Sequence, residues 1–497
     1  MVGLQFVGTS SGAGKSLFVL ALCRILSDEG YKVCPFKAQN MSLQSYITLD
    51  GGEIGFAQAL QAKACRIEPR VEFNPILLKA SAEKGSQVIL MGKVFDTLPP
   101  QKYYQKKDVL WEVVTQALER LKKDCQVVVV EGAGSPAEIN LLEGDIVNLR
   151  IAHYLNIPAI LIGDIDKGGV FASLWGTKEL LNIYKPEWSR CLKGFVINKF
   201  RGDVDILAPG IKELERLSNL KCFGVVPYFN WLCLGQEDGA SLPVKKEFHH
   251  FKRADTVKIV VLRLPYIANF WDFDPFLIEQ DVHLIYSLDP EDILSADVVF
   301  IPGSKNTVKD LQFLKSLGLD EIIKEALKRG SKVVGICGGF QMLGKVIRDP
   351  FGVESQNLEE RGLGLLEVET EFLPEKVTSQ VIASSLRGNF DSLWGYELHM
   401  GISRGDLNLF KIKRIATGEE LLEGSYKDGV WGTYLHGIFT NDEFRRSFLN
   451  ECREKKGLAP IKEVISYNAF VDEQINSLAQ AIKRHLDIGK ICSLIGI

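Results

Sequence analysis

Short apolar runs recur along the first half of the chain, each closed by a polar or glycine-rich turn and followed by an amphipathic stretch. Val2–Val7, Tyr31–Phe36, Ser86–Gly92, Gln126–Val130, Pro158–Ile162, Gly194–Ile197 and Phe223–Pro227 read as strands, and Leu17–Leu26 and Phe56–Cys65 read as helices. Gln126–Val130 is continuously apolar, the pattern of a strand buried on both faces of a parallel sheet. Strands that alternate with helices predict a doubly wound parallel sheet. The pattern stops between about Gly235 and Thr256 and then resumes. Lys258–Leu262, Asp297–Ile301, Lys332–Ile336 and Val430–Tyr434 read as further strands, and Phe340–Val346 can start a helix. The prediction is therefore two α/β domains, over 1–235 and 257–448. A linker over 236–256 joins them, and a helical tail follows over 449–497.

Composition adds little beyond an ordinary globular protein, at 46% hydrophobic, 25% charged and net charge -4. That balance gives no electrostatic reason to expect a nucleic acid or an anionic membrane as partner. The ten cysteines are scattered and form no CxxC pair, so neither a zinc knuckle nor a disulfide framework is expected. A reducing, cytoplasmic setting follows. No apolar run is long enough to span a bilayer, and the N-terminus lacks a basic signal region. His249 and His250 lie in the linker and are expected to be solvated. The oligomeric state is not set by the sequence.

The first strand runs into Gly8-Thr9-Ser10-Ser11-Gly12-Ala13-Gly14-Lys15-Ser16. Strand, glycine-rich loop ending in GKS, and helix form the setting of a phosphate-binding loop. Backbone N–H groups near Gly12 and Gly14 and the helix N-terminus cradle phosphate oxygens. Lys15 reaches the terminal phosphates, and the Ser16 hydroxyl binds Mg²⁺. The spacing departs from the usual P-loop, with Thr9 at the first glycine position and Gly8 one residue earlier. Lys37 and Asp50 leave strand ends on the same side and are expected near the γ-phosphate and Mg²⁺. Glu131 ends a buried strand where ligands of open α/β sheets collect, which suits a second Mg²⁺ contact.

The second half is organised around Val333-Val334-Gly335-Ile336-Cys337-Gly338-Gly339-Phe340-Gln341. An apolar strand, a tight turn carrying a nucleophile and a helix form a nucleophile elbow. A helix N-terminus favours the thiolate. His436 stands where another strand ends, as expected of a general base near in space and distant in sequence. His399, in a glycine-bounded segment, is the competing base. Backbone N–H groups near Gly303 and at Gly338 are expected to form the oxyanion hole.

At these residues the chain resembles the cobyric acid synthases, a family of glutamine-dependent amidotransferases of cobalamin biosynthesis. The resemblance covers nearly the whole chain. It rests on GTSSGAGKS (8–16), FKAQNMS (36–42), DGGEIGFAQALQA (50–62), EGAGSPAEINL (131–141), DIDKGGVFA (164–172), FVINKFRGD (195–203), PGSKNT (302–307), GICGGFQMLG (335–344), GYELHMG (395–401) and GTYLHGIF (432–439). It implies a dethiobiotin-synthetase-like P-loop ATP domain followed by a class I glutamine amidotransferase domain. The implied reaction amidates the b, d, e and g carboxylates of adenosylcobyrinic acid a,c-diamide, with ATP, Mg²⁺ and glutamine. Asn198 is carried over from dethiobiotin synthetase as an adenine contact. Lys37, Asn40 and Asp166 are candidates for the corrinoid, lining a cleft with the 39–52 and 164–172 segments. The general class I pattern has a glutamate two residues beyond the histidine, whereas Ile438 stands there in this chain. The lack of that acid is known in the cobyric and cobyrinic synthase branch, and what orients His436 is left open. The alternatives are a cobyrinic acid a,c-diamide synthase, a Min/Par-like ATPase switch with a degenerate glutaminase domain, and amidation of another polycarboxylate.

Overall fold

A computed structural model describes residues 1–81, 85–232, 246–248, 255–355 and 358–497. The chain opens with β1 (Val2–Gly8), α1 (Lys15–Asp28), β2 (Val33–Phe36), β3 (Gln39–Met41), β4 (Ser45–Ile47), β5 (Glu53–Gly55) and α2 (Phe56–Ala64). It continues through β6 (Ile76–Ser81), β7 (Gly85–Leu90), β8 (Lys93–Leu98), β9 (Val127–Glu131), β10 (Ala159–Asp164), β11 (Leu192–Phe200) and β12 (Lys221–Pro227). Six of these strands form a sheet in the order β12-β11-β10-β1-β9-β2, and all its pairs are parallel. Alternate residues of one strand enter different cores: Val128 and Val130 face one hydrophobic cluster, Val127 and Val129 the other. This is the double burial that the unbroken valine run predicts.

The second domain carries β13 (Lys246–Phe248), β14 (Val257–Leu262), β15 (Val282–Ser287), β16 (Val298–Ile301), β17 (Lys332–Ile336) and α3 (Gly338–Leu343). After them come β18 (Val346–Arg348), β19 (Glu359–Arg361), β20 (Val368–Ser385), β21 (Leu393–Gly405), β22 (Phe410–Arg414), β23 (Glu420–Glu423), β24 (Ser425–Lys427) and β25 (Val430–Thr433). Its main sheet runs β13-β15-β14-β16-β17-β25-β24, with a parallel centre and antiparallel edges. A second sheet is built on the long β20–β21 hairpin.

The fold departs from the sequence reading in four places. Most of the 236–256 linker, with His249 and His250, lies outside the described residues, but Lys246–Phe248 is an edge strand rather than a plain connection. The chain also forms a small sheet, β3-β6-β7-β8, of which only the strand over Ser86–Gly92 was read from periodicity, and a hairpin, β4–β5, that was not. Cys34 and Cys125 are joined as a disulfide, with Cα atoms 5.9 Å apart; scattered spacing had suggested none. The tail is helical, but α4 (Asp442–Lys455) straddles its expected start, and α5 (Tyr467–His485) and α6 (Ile488–Ile495) return to the first domain. Ile475, Leu478, Ala479 and Ile482 share a cluster with Leu22 and Leu26 of α1, the stripe expected of an amphipathic helix.

Buried arginines fasten α4 to the second domain. Arg445 donates to Glu279 at 2.7 Å, and Arg446 pairs with both Glu279 and Asp281. Removing a buried carboxylate strands its cations, at a cost of about 3–5 kcal/mol. Glu279→Ala should therefore lower stability by about that amount, read as a lower urea midpoint at unchanged slope.

Candidate active sites

The P-loop brings most of its expected residues together. Gly12 and Gly14 take positive φ, 72° and 105°, which glycine adopts without steric cost. Lys15 lies back over the loop, with Nζ 2.9 Å from the Ser10 carbonyl and 3.1 Å from that of Gly134. At the end of β9 the Glu131 carboxylate accepts from Ser16 at 2.8 Å, Lys37 at 2.7 Å and Gln61 at 2.6 Å. Burial alone would raise the Glu131 carboxyl, but Lys37, Gln61 and Ser16 outweigh it and hold the carboxyl below its ordinary range. A hydroxyl beside an ionised carboxylate at a P-loop is a hard oxygen donor set that suits Mg²⁺ carried in with nucleotide phosphates.

Asn198 leaves β11 beside the loop and donates to the Ala13 carbonyl at 2.8 Å. A Cβ on Gly14 would lie 2.3 Å from its Nδ2, so the close approach of Asn198 demands glycine there. Asn40 is buried and donates to Gln58 at 2.9 Å. Asp166 is exposed and pairs with Arg201 at 3.2 Å. Asp50 does not join the Glu131 cluster. It is exposed in the β4–β5 turn, bonded to Thr48, and that turn leans on the second domain, where Thr378 donates to the Gly51 carbonyl. The glycine-rich local sequence makes a hairpin tip there, which carries Asp50 to the second domain rather than to Ser16 and Glu131.

The second site is built on the turn between β17 and α3. Cys337 has φ 52° and ψ -108°, a strained conformation that a packed elbow imposes on the residue at its tip. The glycines around it are required by close packing. A Cβ on Gly339 would stand 1.9 Å from the Ile301 carbonyl oxygen, and one on Gly335 would stand 2.6 Å from Gly339. The Cys337 thiol donates to the Leu398 carbonyl at 3.3 Å, so the GYELHMG segment walls the thiol. Gly303 and Gly338 both adjoin it: a Cβ on Gly303 would lie 3.2 Å from the His436 ring, and one on Gly338 would lie 3.0 Å from the Ser304 nitrogen. A cavity of about 50 Å³ adjoins Cys337, His436 and Gly303. Lys305 and Lys376 of the second domain and Lys79 of the first also line it.

His436 is buried with its ring against Cys337, and the acid that the sequence left unassigned is Asp272. His436 Nδ1 lies 2.7 Å from Asp272 Oδ2, while Asp272 Oδ1 accepts from the Gly437 N–H at 2.8 Å. Burial pulls the imidazole down, but the Asp272 and Cys337 charges outweigh it and raise its pKa to about 10. Asp272 comes from a helical turn over Phe270–Ile278, far from His436 in sequence. The signal available was an aspartate inside the apolar run Asn269-Phe270-Trp271-Asp272-Phe273, since a buried charge demands a partner. His399 is not the base: its ring nitrogens meet the Gly401 carbonyl at 3.0 Å and Glu397 at 3.3 Å, and its ring stacks on Tyr434.

This geometry, a P-loop with an acid at the neighbouring strand end and a Cys–His–Asp constellation in a second α/β domain, agrees with what the chain is similar to. Residues 4–241 match the CobQ/CobB/MinD/ParA nucleotide-binding domain, and residues 258–444 match the CobB/CobQ-like glutamine amidotransferase domain. The cobyric acid synthase of Thermodesulfovibrio yellowstonii is 51% identical over 99% of both chains. The chain belongs to the cobyric acid synthase family. Cobyric acid synthases of Thermoanaerobacter sp. and Clostridium acetobutylicum are 46% and 44% identical, over 98% and 100% of this chain and 97% and 99% of theirs. Like other cobyric acid synthases, the chain is a glutamine amidotransferase of the ligase class in cobalamin biosynthesis, and it uses glutamine and ATP. Among the described residues no helix is long and apolar enough to cross a membrane.

Proposed function

We propose that the chain amidates the b, d, e and g carboxylates of adenosylcobyrinic acid a,c-diamide in turn to give adenosylcobyric acid, each round consuming one glutamine and one ATP. The observation that carries this reading is a P-loop with Ser16 on Glu131 and a Cys337–His436–Asp272 constellation in one chain of this family. A carboxylate does not accept ammonia directly, because its leaving group would be oxide. Phosphoryl transfer from ATP gives an acyl phosphate, and attack by ammonia then releases phosphate. Lys15 and the P-loop amides stabilise the charge that spreads over the transferring phosphoryl group. Ser16 and Glu131 would hold Mg²⁺, which supplies further neutralisation of phosphate charge. Lys37 keeps Glu131 ionised. Asn198 braces the loop backbone at Ala13 and would meet the adenine.

In the second domain Cys337 attacks the glutamine carboxamide and His436 takes the thiol proton. His436 then returns that proton to the departing ammonia, and water hydrolyses the thioester to glutamate. Backbone N–H groups at Gly303 and Gly338 receive the tetrahedral oxyanion. Lys37, Asn40 and Asp166 remain the proposed corrinoid contacts.

Mass spectrometry of the a,c-diamide after incubation with the protein, ATP, Mg²⁺ and glutamine tests the reading. Four successive carboxyl-to-amide changes are expected. An unchanged diamide together with amidated cobyrinic acid would instead establish an a,c-diamide synthase. Lys15→Ala should lower corrinoid amidation by about 10²–10³-fold with either glutamine or ammonia as donor, because activation precedes both.

A further inference from the structure

The Asp272 and Cys337 charges favour the imidazolium against burial, and a histidine that keeps its proton cannot take one from Cys337. A further contact lies on the other ring nitrogen. Asn269 Nδ2 lies 3.3 Å from His436 Nε2. The Asn269 amide can face only one way, because its Oδ1 meets the backbone N–H of Ser45 at 2.8 Å. A backbone N–H only donates, so the atom opposite it is the oxygen, and the amide N–H₂ is left facing Nε2. That donor favours a lone pair on Nε2 and the proton on Nδ1, the form that a general base requires.

Ser45 belongs to β4 of the first domain, and each of its polar groups is engaged. Its carbonyl accepts from the Tyr396 hydroxyl at 2.8 Å. The Tyr396 ring stacks on His436, with centroids 5.3 Å apart and planes inclined at 26°. The Ser45 hydroxyl donates to Glu53 of β5 at 2.8 Å, and Glu53 pairs with Lys79 of the first domain and Lys376 of the second. One residue of the ATP domain thus fixes two neighbours of the glutaminase histidine. The same segment begins at Lys37, on Glu131 of the nucleotide site.

We propose that Asn269 is a positioning residue for glutamine hydrolysis, donating to His436 Nε2 in an orientation imposed by Ser45, so that the glutaminase site is complete only when the β4–β5 hairpin of the ATP domain is seated on it. The proposal rests on Cys337 and His436 hydrolysing glutamine. The groups facing His436 are Asp272 on its Nδ1 side, Cys337 from the elbow, Tyr396 from β21, and Asn269.

Asn269→Asp tests it in the full-length protein. Ser45 still has its acceptor, but the second oxygen now accepts from Nε2–H instead of donating to Nε2. Glutamine-dependent amidation should fall about tenfold or more, and the limb of its pH–rate profile governed by His436 should move up by about one unit. Ammonia-dependent amidation should stay at the wild-type rate and certifies the fold. Tyr396→Phe keeps the ring and frees the Ser45 carbonyl. It should move the same limb in the same direction by less, and it decides the matter if Asn269→Asp does not fold. A loss of glutamine turnover with the pH limb unmoved, or an equal loss with ammonia as donor, would overturn the proposal. Survival of glutamine hydrolysis in Cys337→Ala would overturn the underlying reading instead.

Discussion

Cys337→Ala should abolish glutamine-dependent amidation, by at least about 10⁴-fold, while amidation from high ammonium concentrations continues near the wild-type rate. The asymmetry follows from the architecture. The thiol is the only group at the β17 elbow able to form the acyl intermediate, so without it no ammonia is released. On the proposed mechanism the acyl phosphate is made elsewhere, at the P-loop where Lys15, Ser16, Lys37 and Glu131 meet. Alanine is also a mild change locally. Cys337 is buried, its neighbours are spaced by glycines, and beside its contact with His436 the lost side chain made a weak bond to the Leu398 carbonyl. The experiment compares product formation from the two nitrogen donors on one enzyme preparation. Equal loss from both would mean that the sites do not divide the labour in this way.

What was legible in the sequence were the elements whose chemistry is local. GAGKS and GICGG each place strand, turn and helix within a few residues, so the motif carries its own geometry. The run that ends at Glu131 was readable because a sheet strand buried on both faces must be apolar throughout and can tolerate an acid only at its end. Contacts set by the tertiary fold were not legible. Asp272 reaches His436 across 164 residues, and no local spacing relates them. Asp50 looked like a ligand because it follows a strand on the P-loop side, yet the chain turns at Gly51–Gly52 and carries it to the domain interface. The stripe on α5 announces a buried face without saying that α1 covers it. Cys34 and Cys125, 91 residues apart, meet only because β2 and the start of β9 are neighbours in the sheet.

Asp272→Asn should cut glutamine-dependent turnover by about 10³–10⁴-fold and leave the ammonia route intact. The size of the effect comes from hydrogen-bond direction rather than from the loss of charge alone. The Gly437 N–H sits on Oδ1 at 2.8 Å, and in the variant it still requires an oxygen there. The new amide must then aim its N–H₂ at His436 Nδ1, where wild-type Asp272 accepts. A donor on Nδ1 forces the lone pair to that nitrogen and the proton to Nε2. Asn269 already presents a donor to Nε2, so the ring is caught between two donors with one proton to place. With the proton on Nε2 that nitrogen cannot take the Cys337 proton, and with the proton on Nδ1 two donors face each other there. With the carboxylate gone, burial dominates and the imidazole pKa falls from its raised value. The alkaline shoulder of the pH–rate profile should therefore disappear together with the rate. Asp272→Glu keeps the acceptor but displaces it, and should recover part of the activity. If Asp272→Asn were as active as wild type, the acid would be serving only to brace the Gly437 turn, and the histidine would owe its tautomer to Asn269 alone.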